Sequence, residues 1–270
     1  MIVPLTKFVA GFPSKKIAQS LVSGLSGFYG KKTKISYANE GYWSQKGDGW
    51  IVNDVYPDVR MNIQKLKELI VDVYFHEYKP KSGDICIDVG AGIGTESIYL
   101  SKAIGQTGKI YAIEAVPLTF KLLNANKRDN HLDNMSCFQY AISDVSGKIN
   151  ISSNAGGHEK NSVFASEGES VDAITMDEFI QQHKIDKINF FKTNIEGAEK
   201  LLIRKFESIS KVHHVAISCH DFLARRLNDE TFATRKDIQS FLLANNFEIL
   251  TRNTGIDYKD DWVYGVNKNF

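Results

Sequence analysis

Short runs of apolar residues alternate with stretches of helical spacing along most of the chain. Residues 84–89 (Asp-Ile-Cys-Ile-Asp-Val), 109–114, 136–142, 187–192 and 212–218 each read as a buried strand. Between them, Thr95–Ala103, residues 118–127 with Leu118, Leu122 and Ala125 on one face, Met176–Gln182, and a segment from Gly197 carrying Leu201, Leu202 and Phe206 read as helices. A helix over 231–245 turns Ile238, Phe241 and Leu242 inward, and two extended runs, 247–252 and 261–267, close the chain as an antiparallel hairpin. Strands alternating with helices over short connections predict a doubly wound α/β fold. The expected sheet is Rossmann-like, seven-stranded and mostly parallel, with an antiparallel final strand. Ligands of such sheets sit beyond the carboxyl ends of the strands.

The first 80 residues follow no such alternation. Ser14 is placed to cap a helix with Ile17, Leu21 and Leu25 on its inner face, and Ile63, Leu66, Leu69, Ile70 and Val73 predict a second helix leading into the main domain. The expected organisation is an N-terminal extension or cap over 1–80 and a main domain over 81–270. Within the latter, the Gly-, Ser- and Asn-rich stretch 147–172 reads as a hairpin and loop insertion, with His158 an exposed loop residue. Tyr42, Trp43 and Trp50 either pack in a core or stack on a sugar or ring.

Composition narrows the function. In 270 residues, Lys plus Arg total 33 and Asp plus Glu 32, a formal net charge of +1, so no polyanion-binding signature points to nucleic acid. No apolar run approaches about 18 residues, so no stable membrane insertion is expected. The three cysteines, Cys86, Cys137 and Cys219, are scattered, which fits a reducing, cytoplasmic setting. No metal-ligand spacing is present.

The chemistry concentrates at strand ends. Asp88-Val-Gly90-Ala91-Gly92-Ile-Gly94-Thr95 follows the first strand and opens a helix, so its glycines allow a tight turn and close approach of a ligand to backbone. Thr95 stands where a dinucleotide fingerprint needs its third glycine, which speaks against a nicotinamide-dependent oxidoreductase, the main rival reading. Asp88 could attract the ammonium of an amino-acid-like ligand. Glu114, ending the second strand, could accept hydrogen bonds from both hydroxyls of a ribose, or be a solvated strand-end acid. Ala141 and Ile142, followed by Asp144, could line an adenine or simply enter a loop.

After the fourth strand comes Lys192-Thr-Asn194-Ile-Glu196-Gly-Ala-Glu199. Asn194 could be a helix N-cap, Glu199 an acid of the first helical turn, and Glu196 a side chain pointing into the strand-end crevice. His220, in Ser218-Cys-His-Asp221, is either a proton acceptor titrating near neutrality or a strand-end histidine without chemistry.

Taken together, Val-Gly-Ala-Gly-Ile-Gly at 89–94, Ala-Ile-Ser-Asp-Val-Ser-Gly at 141–147, Val-Asp-Ala-Ile-Thr-Met-Asp at 171–177 and Lys-x-Asn-x-Glu-Gly-Ala-Glu at 192–199 resemble the FkbM family of class I methyltransferases, over about residues 75–267. The resemblance implies S-adenosyl-L-methionine as methyl donor and O-methylation of a sugar or small-metabolite hydroxyl. Asp88, Gly90, Ala91, Gly92, Glu114 and Ala141 would hold the donor, while Glu196, His220 and Asn194 would face a small-molecule or glycan acceptor. A homodimer is an allowed assembly. The chain departs from the family at Asn194, where aspartate is usual, and asparagine cannot take a proton. That departure gives weight to a further rival, a non-catalytic donor-binding module on the same fold.

Overall fold

The computed structural model describes residues 12, 14–28, 33–38, 40–151 and 168–270. Its centre is a seven-stranded sheet in the order β12-β13-β11-β10-β4-β5-β6. The strands are β4 (Ile85–Val89), β5 (Lys109–Ile113), β6 (Met135–Phe138), β10 (Ile188–Thr193), β11 (Val212–Ser218), β12 (Phe247–Thr251) and β13 (Trp262–Asn267). β13 runs antiparallel between β11 and β12, and the five strands from β11 to β6 are mutually parallel. The expected fold class is the observed one, although a short helix, Asp257–Asp260, separates the last two strands.

Alternate residues of each strand serve opposite faces. Ile87, Val89, Tyr111, Ile113, Phe191, Val215 and Ile217 join one core, against α5 (Met176–Gln182), α6 (Glu199–Arg204) and α8 (Arg235–Ala244). Cys86, Ile110, Ala112, Phe190, Ala216, Trp262 and Tyr264 join the other, against α2 (Ile63–Val73) and α3 (Thr95–Ile104). A sheet covered on both faces needs apolar residues at consecutive positions, which is why its strands read as continuous runs.

Several expectations require correction. The predicted third strand breaks at Gln139–Tyr140: β6 stays in the main sheet, while β7 (Ala141–Ile142) leaves it to pair with β9 (Glu169–Ile174), itself paired with β8 (Gly147–Ile151). His158 lies outside the described residues. α1 (Lys15–Phe28) buries Ala18, Val22 and Ser26, whereas Ile17 and Leu21 are 55% and 45% exposed. Ala18 and Val22 pack with Ile35 of β1 (Lys34–Tyr37), and of the three predicted inner residues only Leu25 joins them. β1 pairs with β2 (Trp43–Gly47), and β2 with β3 (Trp50–Asp54), in a three-stranded sheet the patterning does not predict. Tyr42, Trp43 and Trp50 are buried and so unavailable to a sugar.

The small sheet is fastened to α4 (Pro117–Asp129) and the residue after it by side chains that imitate a strand. Asn126 Oδ1 accepts the Asn53 N–H at 2.6 Å and its Nδ2 donates to the Asn53 carbonyl at 3.1 Å. Asn130 does the same for Ile51, at 2.9 and 2.6 Å. The edge of β3 is thereby satisfied rather than left open, and the C-terminal end of α4 is held against it.

Candidate active site

β4 ends in the glycine turn. Gly90 has φ +67°, and a Cβ there would stand 2.1 Å from the Asn194 carbonyl oxygen, so only glycine lets this turn meet the loop after β10. Gly92 N–H donates to Glu114 Oε2 at 2.9 Å, and Val116 N–H donates to Oε1 at 2.8 Å. Glu114 therefore ties the turn after β4 to the start of α4. Gly90, Gly92 and Glu114 border a cleft of about 800 Å³, whose apolar wall includes Val116, Ala141, Ile142 and Ile151.

Asp88 and Ala91, expected at the same place, do not border it. Ala91 is 2% exposed, and its N–H is spent on the Ile113 carbonyl. Asp88 lies beneath the turn. β4 and β10 are parallel neighbours with Asp88 opposite Lys192, and the two side chains pair at 2.9 Å with both buried. Ser97 Oγ donates to the second Asp88 oxygen at 2.6 Å, and Lys192 Nζ reaches the Gly90 carbonyl at 3.1 Å. Burial works to lower the Lys192 pKa, but Asp88, with Glu96 and Glu114 farther off, outweighs it and raises the pKa. Asp88 is thus a buried counter-ion that fixes the turn; it has no charge to spare for a ligand's ammonium. Asp144, the residue beyond Ala141 and Ile142, turns away to Arg204 at 3.0 Å.

Asn194 and Glu196 also line this cleft. They line a second one as well, of about 1270 Å³, together with Tyr74, Ser218, His220, Phe222, Arg226, Tyr258 and Trp262. Asn194 is not an N-cap: α6 starts at Glu199 behind Ala198, and the Asn194 N–H bonds the Val89 carbonyl. Glu196 holds a left-handed backbone, φ +55°.

His220 sits between two carboxylates. Its Nε2 is 3.6 Å from Glu196 Oε1 and its Nδ1 is 3.4 Å from Glu199 Oε1. Glu199, which reads in sequence as an ordinary first-turn acid, is fully buried and accepts the N–H groups of Ile195 and Gly197 at 2.8 and 2.9 Å. It holds the 194–197 loop and supplies His220 with a buried counter-charge. Burial pulls the His220 pKa down, but Glu199 and then Glu196 overcome this and raise it to about 10. The two flanking carboxylates thus favour the imidazolium over the near-neutral acceptor, one of the two readings its sequence position offers. Helix α7 (Asp221–Leu227), which follows it and carries Phe222 and Arg226, is also unforeseen in the patterning.

A histidine whose folded pKa lies above its unfolded value stabilises the fold fully below about pH 6.5, and that stability is lost as pH rises through about 10. Thermal melting between pH 6 and 10.5 is expected to show this fall, and His220→Gln to lessen it. Parallel curves for the two proteins would show that His220 is not held charged.

The sequence profile of the Methyltransferase FkbM domain matches residues 88–249, more than half the chain. The hexuronic acid methyltransferase AglP of Haloferax volcanii is 23% identical over 188 residues, 69% of this chain and 72% of AglP. The ribosomal RNA large subunit methyltransferase E of Bdellovibrio bacteriovorus is 38% identical over 64 residues, 24% of this chain and only 31% of that protein. Among solved structures, the methyltransferase FkbM of Methylobacillus flagellatus KT superposes with a TM-score of 0.53 at 16% identity, over 77% of this chain and 51% of that one, a likeness of fold. With the profile spanning β4 to β12, the chain belongs to the FkbM family of S-adenosylmethionine-dependent methyltransferases.

Proposed function

We propose that this chain methylates a hydroxyl of a sugar or small metabolite, with donor and acceptor in the two adjoining clefts. The observation that carries the reading is that Asn194 and Glu196 line both clefts, so groups bound on either side meet there. The sugar preference takes support from the similarity to AglP, a hexuronic acid methyltransferase.

The first cleft fits the donor. Glu114, fixed at the cleft edge by the Gly92 and Val116 N–H groups, accepts hydrogen bonds from the ribose hydroxyls. The wall of Val116, Ala141, Ile142 and Ile151 offers apolar surface to a flat base. At Gly92 a Cβ would meet nothing within 4 Å, which leaves backbone open to a ligand. When bound, the donor supplies a methyl group on a sulfonium that is already a good leaving group, so alignment and exclusion of water are the protein's main tasks.

The proton of an alcohol must still go somewhere. Asn194 cannot take it and acts by hydrogen bonding. Glu196 Oε accepts it, and the neighbouring imidazolium of His220 orients that carboxylate. Helix α2 and the residue after it, from the N-terminal extension, wall the acceptor cleft through Leu69, Val73 and Tyr74.

The test is methyl transfer from radiolabelled donor to a panel of glycosides and small alcohols. Glu196→Gln is expected to lower kcat by about a hundredfold or more while S-adenosylhomocysteine still binds. Transfer to amines alone would overturn O-methylation, and a wild-type rate in the variant would remove Glu196 as proton acceptor.

A further inference from the structure

Two arginines stand side by side in the last turn of α7, and they do different things. Arg225 turns to Asp257 at 3.6 Å. Arg226 lines the acceptor cleft, with its guanidinium 5.8 Å from the ring centre of Phe222, four residues earlier on the same helix. Among the described residues no carboxylate stands within 4.0 Å of Arg226, the Asp257 carboxylate that also lines the cleft being taken by Arg225. The rest of the cleft is aromatic at Tyr74, Phe222, Tyr258 and Trp262 and carries Asp257, the partner of Arg225; at Glu196 and His220, with Glu199 buried behind the ring, two carboxylates stand against one imidazolium.

We infer that Arg226 binds the carboxylate of an acidic sugar acceptor, a uronic acid residue, and so sets which hydroxyl faces Glu196. The inference rests on the acceptor-cleft reading above. A planar guanidinium matches a carboxylate with two parallel N–H···O bonds. Resting on Phe222 presents that fork with less freedom to lose. The aromatic faces supply the surface on which a sugar ring packs. Two carboxylates against one imidazolium disfavour the acceptor's carboxylate beside Glu196, whereas Arg226, lining the same cleft, offers it a cation. Attraction at one end and repulsion at the other leave a hydroxyl, not the acid, at the reacting position.

Calorimetry with 4-nitrophenyl glycosides tests this, in the absence of donor product and with S-adenosylhomocysteine saturating. The glucuronide and galacturonide are compared with the glucoside and galactoside. At least one acidic glycoside is expected to bind about tenfold or more tightly than its neutral partner. Arg226→Ala removes that preference, and Arg226→Lys restores part of it because a point charge replaces the fork. Equal affinities within each pair, no binding of any of the four, or a preference that survives Arg226→Ala would overturn the inference. So would a methyl ester product, which places the carboxylate at Glu196. Binding of S-adenosylhomocysteine alone is unaffected by Arg226→Ala, so its absence in wild-type protein would count against the donor reading and not against Arg226.

Discussion

Gly90→Ala is expected to destabilise the protein by about 3 kcal/mol or more and to abolish measurable binding of S-adenosylhomocysteine. Two effects add. The residue sits at φ +67°, and the new Cβ would lie 2.1 Å from the Asn194 carbonyl oxygen and 2.9 Å from the Ile195 Cγ2 atom. The nearest of these is a backbone atom, so rotating a side chain cannot relieve the clash. The turn after β4 and the loop after β10 must part; together they shape the first cleft, and the loop after β10 also lines the second. Gly92→Ala is the control. Its φ is also positive, but its Cβ would meet nothing within 4 Å, so a cost of only about 1 kcal/mol from backbone conformation is expected. Urea unfolding of the two variants measures the difference; equal losses would mean that the close approach at Gly90 is not what demands glycine.

Lys192→Met carries the second large effect, a loss of about 3–5 kcal/mol. The substitution leaves the Asp88 carboxylate buried without its cation and frees the Gly90 carbonyl that Lys192 holds. A buried ion pair contributes little against an apolar pair of the same shape, but breaking one side of it strands a charge. The double variant Asp88→Leu, Lys192→Met is therefore expected to recover most of the stability in the same unfolding experiment. Additive losses in the double variant would show that the two residues act separately.

The fold was legible because a sheet buried on both faces writes itself as apolar runs, and the glycine turn because nothing else satisfies such close backbone contacts. The N-terminal sheet was not, because its buried positions include polar residues. Gln45 is 0% exposed and exchanges hydrogen bonds with the Asp58 backbone at 2.8 and 2.7 Å, so the alternation of β2 is hidden.

In the site, Gly90, Gly92, Glu114, Ala141, Asn194, Glu196 and His220 fall where strand-end reasoning puts them, around two joined clefts. The roles of Asp88 and Glu199 could not be read locally. Asp88 is neutralised by a residue on another strand, visible only once the β4–β10 register is known. Glu199 resembles any first-turn acid until the loop before it folds back over its carboxylate and brings in His220. Charge state at this site is a property of tertiary neighbours, and the same holds for His220, whose proton the two flanking carboxylates favour.

The central claim is that donor and acceptor clefts meet at Asn194 and Glu196. A crystal structure of the complex with S-adenosylhomocysteine tests it most directly. The account predicts the ribose on Glu114, the base against Ala141 and Ile142, and the sulfur facing Asn194 and Glu196 with the His220 cleft open beyond it. A ligand bound elsewhere, or a sulfur walled off from that second cleft, would contradict it.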